Sequence, residues 1–225
     1  MALIFKDRAD AGRLLAMQLK EYANQPDLLV LGLPRGGVPV AFEVARALRV
    51  SLDVFLVRKL GVPGHEELAM GAMASGGVRI LNDMVVKGLN IGNEAINQVT
   101  ERELNELQRR ERQYRGDNPR PEVRNRTVIL IDDGLATGTT MRAAAIALRQ
   151  QQPAKIIVAV PVAAAETCDE FRDLVDEVVC AVTPRGLYAV GLWYEDFSQT
   201  SDDEVVELLE RPRKEWPLPS RVSAA

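Results

Sequence analysis

Asp132 and Asp133 stand side by side behind the apolar run Val128, Ile129, Leu130 and Ile131, and ahead of Gly134, Leu135, Ala136, Thr137, Gly138, Thr139 and Thr140. Such a run reads as a strand buried on both faces, and it delivers two carboxylates to its end. A strand alternates its faces, so both carboxylates meet one cleft only where the backbone turns. The small, hydroxylated loop that follows opens a helix. Its backbone N–H groups, the helix N-terminus and the hydroxyls of Thr137, Thr139 and Thr140 suit a phosphate monoester. Charge-assisted hydrogen bonds of about 1.5–3 kcal/mol each add up to firm binding. Carboxylates beside a phosphate would repel it, unless they hold sugar hydroxyls or a Mg2+ that offsets the charge.

These groups need a frame. Short apolar runs at 28–33, 53–57, 127–131, 155–160 and 177–181 predict buried strands, and a further extended segment is expected at 187–193. Helical spacing is expected at 9–23, 38–48, 93–115, 141–150 and 166–175, and an Asp-rich turn at 201–203 caps a last helix through Glu210. Alternating strands and helices predict an α/β fold, a mainly parallel sheet flanked by helices. Residues 58–67 combine charge with turn formers and no periodicity, which predicts a loop, with weaker strand signals at 70–74 and 78–81. Most charges of 93–115 read as a solvated face. The chain ends and the region around 60–90 are expected to build a small cap, and 211–225 a loose tail. Ligands of such sheets sit at the carboxyl ends of the strands, where the loops after 33, 57 and 133 converge.

Composition narrows the field. With 28 basic and 32 acidic residues in 225, the net charge is −4, and this acidic balance argues against nucleic acid as a partner. The length suits one domain spanning 1–225. His65 is the only histidine, which excludes metal sites that need two. Cys168 and Cys180 lie near apolar runs and read as small buried residues rather than a disulfide framework. No apolar run is long enough to span a membrane. The amino-terminal segment has no signal-peptide pattern, so a cytoplasmic protein is expected.

The stretch 128–140 resembles, at every position, the phosphoribosyl pyrophosphate motif of type I phosphoribosyltransferases: four apolar residues, two acidic, three variable, then Thr-Gly-x-Thr. The resemblance extends over roughly 27–210. It is nearest to a bacterial subgroup that shares the Pro-Arg-Gly-Gly loop and a Trp-Tyr…Asp-Phe-Ser-Gln ending. It implies that Asp132, Asp133, Ala136, Thr137, Gly138, Thr139 and Thr140 bind the phosphoribosyl group. Asp132 and Asp133 would also hold Mg2+, directly or through water. Leu33-Pro34-Arg35-Gly36-Gly37 looks like the family's pyrophosphate loop, in which Arg35, Gly36 and Gly37 face the anion and a non-proline cis peptide lies next to Arg35. Arg58 and Lys59 resemble the start of a flexible loop that closes over substrate and neutralises pyrophosphate. Tyr188, with Trp193 and Tyr194, would line a base pocket in a hood built from the N-terminal segment and roughly 185–210.

The resemblance also implies an activity: transfer of 5-phosphoribosyl to a base-like nitrogen acceptor, Mg2+-dependent, in a homodimer, as in purine or pyrimidine salvage. Ala136 stands where 6-oxopurine enzymes carry an aspartate base, so an acid from the mobile loop is needed instead: Glu67, Glu66 or His65. Two other readings stay open. One is a non-catalytic regulator that binds phosphoribosyl pyrophosphate or a nucleotide. The other is a donor site serving a separate hydrolase partner.

Overall fold

The computed structural model describes residues 4–215. Five parallel strands form the central sheet: β1 (Leu28–Gly32), β2 (Ser51–Val54), β6 (Thr127–Ile131), β7 (Lys155–Val162) and β8 (Glu177–Val182), in the order β2-β1-β6-β7-β8. Three further strands, β3 (Val57–Val62), β4 (His65–Ala74) and β5 (Val78–Leu81), make a separate antiparallel sheet. The helices are α1 (Arg8–Gln18), α2 (Gly37–Leu48), α3 (Asp83–Gly88), α4 (Asn93–Arg115), α5 (Thr139–Gln150), α6 (Ala165–Phe171) and α7 (Asp202–Glu215). No helix among the described residues is long and apolar enough to cross a membrane.

Alternation along the strands divides the core in two. Leu28, Val30, Ile129, Ile131 and Ile157 point to one face, with Leu15 of α1, Val40 and Val44 of α2, and Val205 and Leu209 of α7. Leu29, Leu31, Val128, Leu130 and Val158 point to the other, with Met141, Ala144 and Leu148 of α5 and Phe171 of α6. The helix-flanked parallel sheet is therefore the architecture that the periodicity implies.

Four expectations change. Residues 58–67 are not a loop but most of a β-hairpin, turning at Pro63 and Gly64, with Arg58 opposite Met73 and Lys59 opposite Ala72. Charged residues on the open face of the arm hide the strand pattern, while Leu60, Val62, Met70 and Met73 on its inner side reach the core, beside Ile96, Val99 and Leu107 of α4. Cys168 and Cys180 form a disulfide between α6 and β8, with Cα atoms 6.9 Å apart. A helix and a turn bring positions 12 apart together here, which spacing alone does not reveal. The segment 187–193 is no strand but a loop ending in a 3-10 turn at Val190–Trp193. The last helix runs on to Glu215, so 211–215 are helical, and the rest of the expected tail lies outside the described residues.

Candidate functional site

The parallel register decides the geometry. Gly32 pairs with Ile131, so β1 and β6 end level with each other. Strand order reverses between them, and the chain leaves both strands into one crevice. Leu33 N–H donates to the Ile131 carbonyl at 2.8 Å, which lays the 34–37 turn along the acidic pair. The Pro34–Arg35 peptide is cis, next to the arginine as the resemblance implies. Gly36 and Gly37 are glycines for a steric reason: a Cβ at Gly36 would collide with the Asp133 carboxylate, and one at Gly37 would lie 2.7 Å from the Ile131 carbonyl oxygen.

Asp132 and Asp133 emerge at this point, both mostly buried. The Asp132 carboxylate accepts the N–H of Asp133 at 2.9 Å. Burial pushes the Asp132 carboxyl well above the usual range, and the neighbouring Asp133 charge adds to this. Burial also raises Asp133, partly offset by the Arg8 guanidinium beside it.

The next turn hugs the sheet. Leu135 N–H donates to the Val162 carbonyl at 2.9 Å, and Thr167 Oγ1 donates to the Ala136 carbonyl at 3.0 Å. Gly138 caps α5 at φ +67°, in the left-handed region that favours glycine, and a Cβ there would meet the Phe171 ring at 2.7 Å. Thr137, Thr139 and Thr140 stay exposed around the N-terminus of this twelve-residue helix, and Thr137 Oγ1 lies 3.2 Å from Thr139 Oγ1. An exposed helix N-terminus ringed by hydroxyls can hold a phosphate dianion.

The remaining candidates lie on other elements. Arg35 sits at the turn and contributes charge to the surroundings of Tyr114 and Asp202. Arg58 is bound to Glu103 of α4 at 2.7 Å, and Lys59 to Glu67 at 3.2 Å. Glu66, Glu67 and His65 are exposed near the hairpin turn. Tyr188 is exposed. Trp193 is half-buried and packs with Phe5 and Tyr194. Tyr194 is buried, and its hydroxyl donates to the Asp133 carbonyl at 2.6 Å, so its polar end serves the acidic turn. Burial, with the charge of Asp133 next, raises the Tyr194 phenol.

Sequence reasoning missed Arg8. Its Nε donates to Asp133 Oδ2 at 2.8 Å across 125 positions. No spacing signals that pair. The N-terminal segment that carries it is tied to residues 193–195: Phe5 N–H donates to the Trp193 carbonyl and Glu195 N–H to the Phe5 carbonyl, each at 2.8 Å. Val190 packs against Gly134, where a Cβ would lie 2.6 Å from its methyl.

The donor set fits a Mg2+ shared with a ligand. Two adjacent carboxylates are hard oxygen donors, and among the described residues no group of three or more His, Cys, Asp or Glu could hold a metal. Mg2+ readily takes one or two carboxylates and fills its octahedron with substrate oxygens and water.

A parallel sheet with a glycine turn, an acidic pair and a threonine cradle at one switch point is the arrangement of a phosphoribosyl-transfer domain, and the chain belongs to the phosphoribosyl transferase family, whose domain matches residues 4–185. The chain is 46% identical over 222 residues to two Mycobacterium tuberculosis proteins, "Putative phosphoribosyl transferase Rv0571c" of strain H37Rv and "Putative phosphoribosyl transferase MT0597" of strain CDC 1551. The match takes in 99% of this chain and 50% of each relative, so the chain spans about half the length of these curated relatives. The crystal structure of TT1426 from Thermus thermophilus is similar over 92% of this chain and 97% of that one, at 40% identity and a TM-score of 0.79.

Proposed function

We propose that this chain moves a 5-phosphoribosyl group from phosphoribosyl pyrophosphate to a ring nitrogen of a base-like acceptor, with release of pyrophosphate. The observation that carries the reading is the level ending of β1 and β6, which sets the glycine turn and the acidic pair side by side. Residues 136–140 and the α5 N-terminus take the 5′-phosphate, and this remote binding positions the anomeric carbon. Asp132 and Asp133 hold the ribose hydroxyls and face the positive charge that develops on the ring. The C–O bond to pyrophosphate breaks and its electron pair leaves with pyrophosphate. The acceptor nitrogen's lone pair forms the new C–N bond, and its proton passes to a base, for which Glu67 is the candidate. Arg35 with the Gly36 and Gly37 amides holds the leaving group. Mg2+, held by Asp132 and Asp133, supplies charge neutralisation when bound.

Arg58 and Lys59 join the site by exchanging Glu103 and Glu67 for pyrophosphate oxygens as the hairpin arm closes. Tyr188 and Trp193 are the hood aromatics that cover the base. A homodimer belongs to the same proposal and is read by light scattering.

The test is calorimetric titration of phosphoribosyl pyrophosphate with and without Mg2+ on wild type and Asp133→Asn. Mg2+-dependent binding that weakens in the variant supports the reading, and pyrophosphate release across a panel of bases then finds the acceptor. Binding without release from any acceptor would turn the reading toward a regulator that senses the donor. No binding at all would remove it.

A further inference from the structure

Arg8 has no part in the chemistry described so far, yet it is the most constrained cation at the site. Its Nε lies 2.8 Å from Asp133 Oδ2, its Nη1 donates to the Ser198 carbonyl at 2.6 Å, and its guanidinium stacks 4.0 Å over the Phe197 ring. The Arg8 side chain is 12% exposed and that of Asp133 16%. The backbone beneath it is fixed as well. Asp7 caps α1 by accepting the Asp10 N–H at 2.7 Å, and Asp196 N–H donates to the Lys6 carbonyl at 3.0 Å.

Asp133 is therefore gripped at both ends by the hood. Arg8 holds its carboxylate and Tyr194 its carbonyl. A planar fork pinned by a carboxylate, a carbonyl and a ring sits in one orientation, unlike a solvated surface arginine. It stands on the carboxylate oxygen nearest Gly36, in the mouth shared by the acidic pair and the glycine turn. The guanidinium offsets negative charge on the adjacent pair, which lowers its attraction for a free divalent cation.

We propose that Arg8 is a positioning residue of this site. It acts as the built-in counter-cation of the Asp132–Asp133 pair, aiming the Asp133 carboxylate and keeping free Mg2+ off the pair, so that the metal enters with the pyrophosphate donor. This rests on the phosphoribosyl pyrophosphate reading above. It makes a prediction of opposite signs. Removing the guanidinium strengthens binding of Mg2+ alone and weakens binding of the donor. A residue that only filled space would weaken both or neither.

The experiment is calorimetry on wild type, Arg8→Gln and Arg8→Lys, first with Mg2+ alone and then with phosphoribosyl pyrophosphate at saturating Mg2+. Arg8→Gln is expected to bind Mg2+ about tenfold more tightly and the donor about tenfold more weakly, each a change of about 1.4 kcal/mol. Arg8→Lys keeps a cation on Asp133 but cannot also reach Ser198 and stack on Phe197. It is expected to restore the wild-type response to Mg2+ and only part of the donor affinity. Mg2+ affinity that is unchanged or weaker in Arg8→Gln overturns the assignment. Should Arg8→Gln fail to fold, Arg8→Lys decides alone: donor affinity equal to wild type refutes the positioning role. Wild type that ignores the donor would sink the proposed function instead, while the shift with Mg2+ alone still tests the counter-cation.

Discussion

The cradle at the end of β6 and the hairpin arm of β3 and β4 make an instructive pair. The cradle is one stretch of chain. Asp132 to Thr140 follow one another, and their conformation is set locally by a strand end, a left-handed Gly138 and a helix start. The arm, though contiguous, rests on α4, which is anchored by residues far away in sequence. Arg58 reaches Glu103 over 45 positions, and Arg115 at the end of α4 reaches Asp53 over 62. Contiguous chemistry leaves a motif. Dispersed chemistry leaves only charges, whose partners the fold chooses. The long helix shows this directly: Glu103, Glu111 and Arg115, which read as a solvated face, are buried in ion pairs with Arg58, Arg120 and Asp53.

The comparison can be broken, most forcefully at Arg115. Its side chain is 5% exposed and bonds Asp53, the Val54 carbonyl and Glu111. Arg115→Met leaves two buried carboxylates without that partner and is expected to cost about 3–5 kcal/mol, read by urea unfolding. Donor affinity of the folded protein should hold; its collapse would show that the α4 anchorage and the cradle are one unit. Asp132→Asn should do the reverse. Donor binding should fall by about 1.5–3 kcal/mol, while unfolding stability holds or rises, because burial disfavours the charge that the change removes.

Smaller effects sharpen the contrast. Tyr114→Phe removes a 2.6 Å hydrogen bond from a buried ring to Asp202, at about 1 kcal/mol or less. The Tyr114 hydroxyl holds the Asp202 carboxyl below its usual range. A depressed folded pKa adds stability above the unfolded value, near 3.9, and that stability is lost as pH falls through the folded one. The gap between wild type and variant in thermal melts should therefore be full at neutral pH and close below about pH 4. Lys59→Ala should be the quietest in unfolding, under about 0.5 kcal/mol, because its pair with Glu67 is solvent-exposed. Pyrophosphate release should nevertheless slow markedly. Unchanged release would remove Lys59 from the machinery.

Much of the frame was legible because its signals are periodic. Four of the five strands of the parallel sheet announce themselves as apolar runs, and α4 begins and ends at the expected residues; the run expected as a strand at 53–57 is instead split between the end of β2 at Val54 and the start of β3 at Val57, in the other sheet. The hairpin arm was legible only at its far end, where the strand signal at 70–74 falls in β4; the stretch 58–67 was not, because Arg58, Lys59, Glu66 and Glu67 face outward or pair across the arm. Tyr194 shows the same limit within the site. The resemblance placed it in the lining of a base pocket, and the structure binds its hydroxyl to the Asp133 carbonyl.

What the sequence by itself determined is the chemistry that neighbours can do: two carboxylates at a strand end, hydroxyls and amides at a helix start, glycines where backbone must approach closely. These follow from the local conformation of a few consecutive residues. Only the tertiary structure decided that Arg8 faces Asp133, that Arg58 is bound to Glu103, and that the segment around Phe5 is tied to residues 193–195. Burial makes those pairings durable, since a charge taken out of water must find a partner wherever the fold presents one, and sequence distance carries no record of which partner that is.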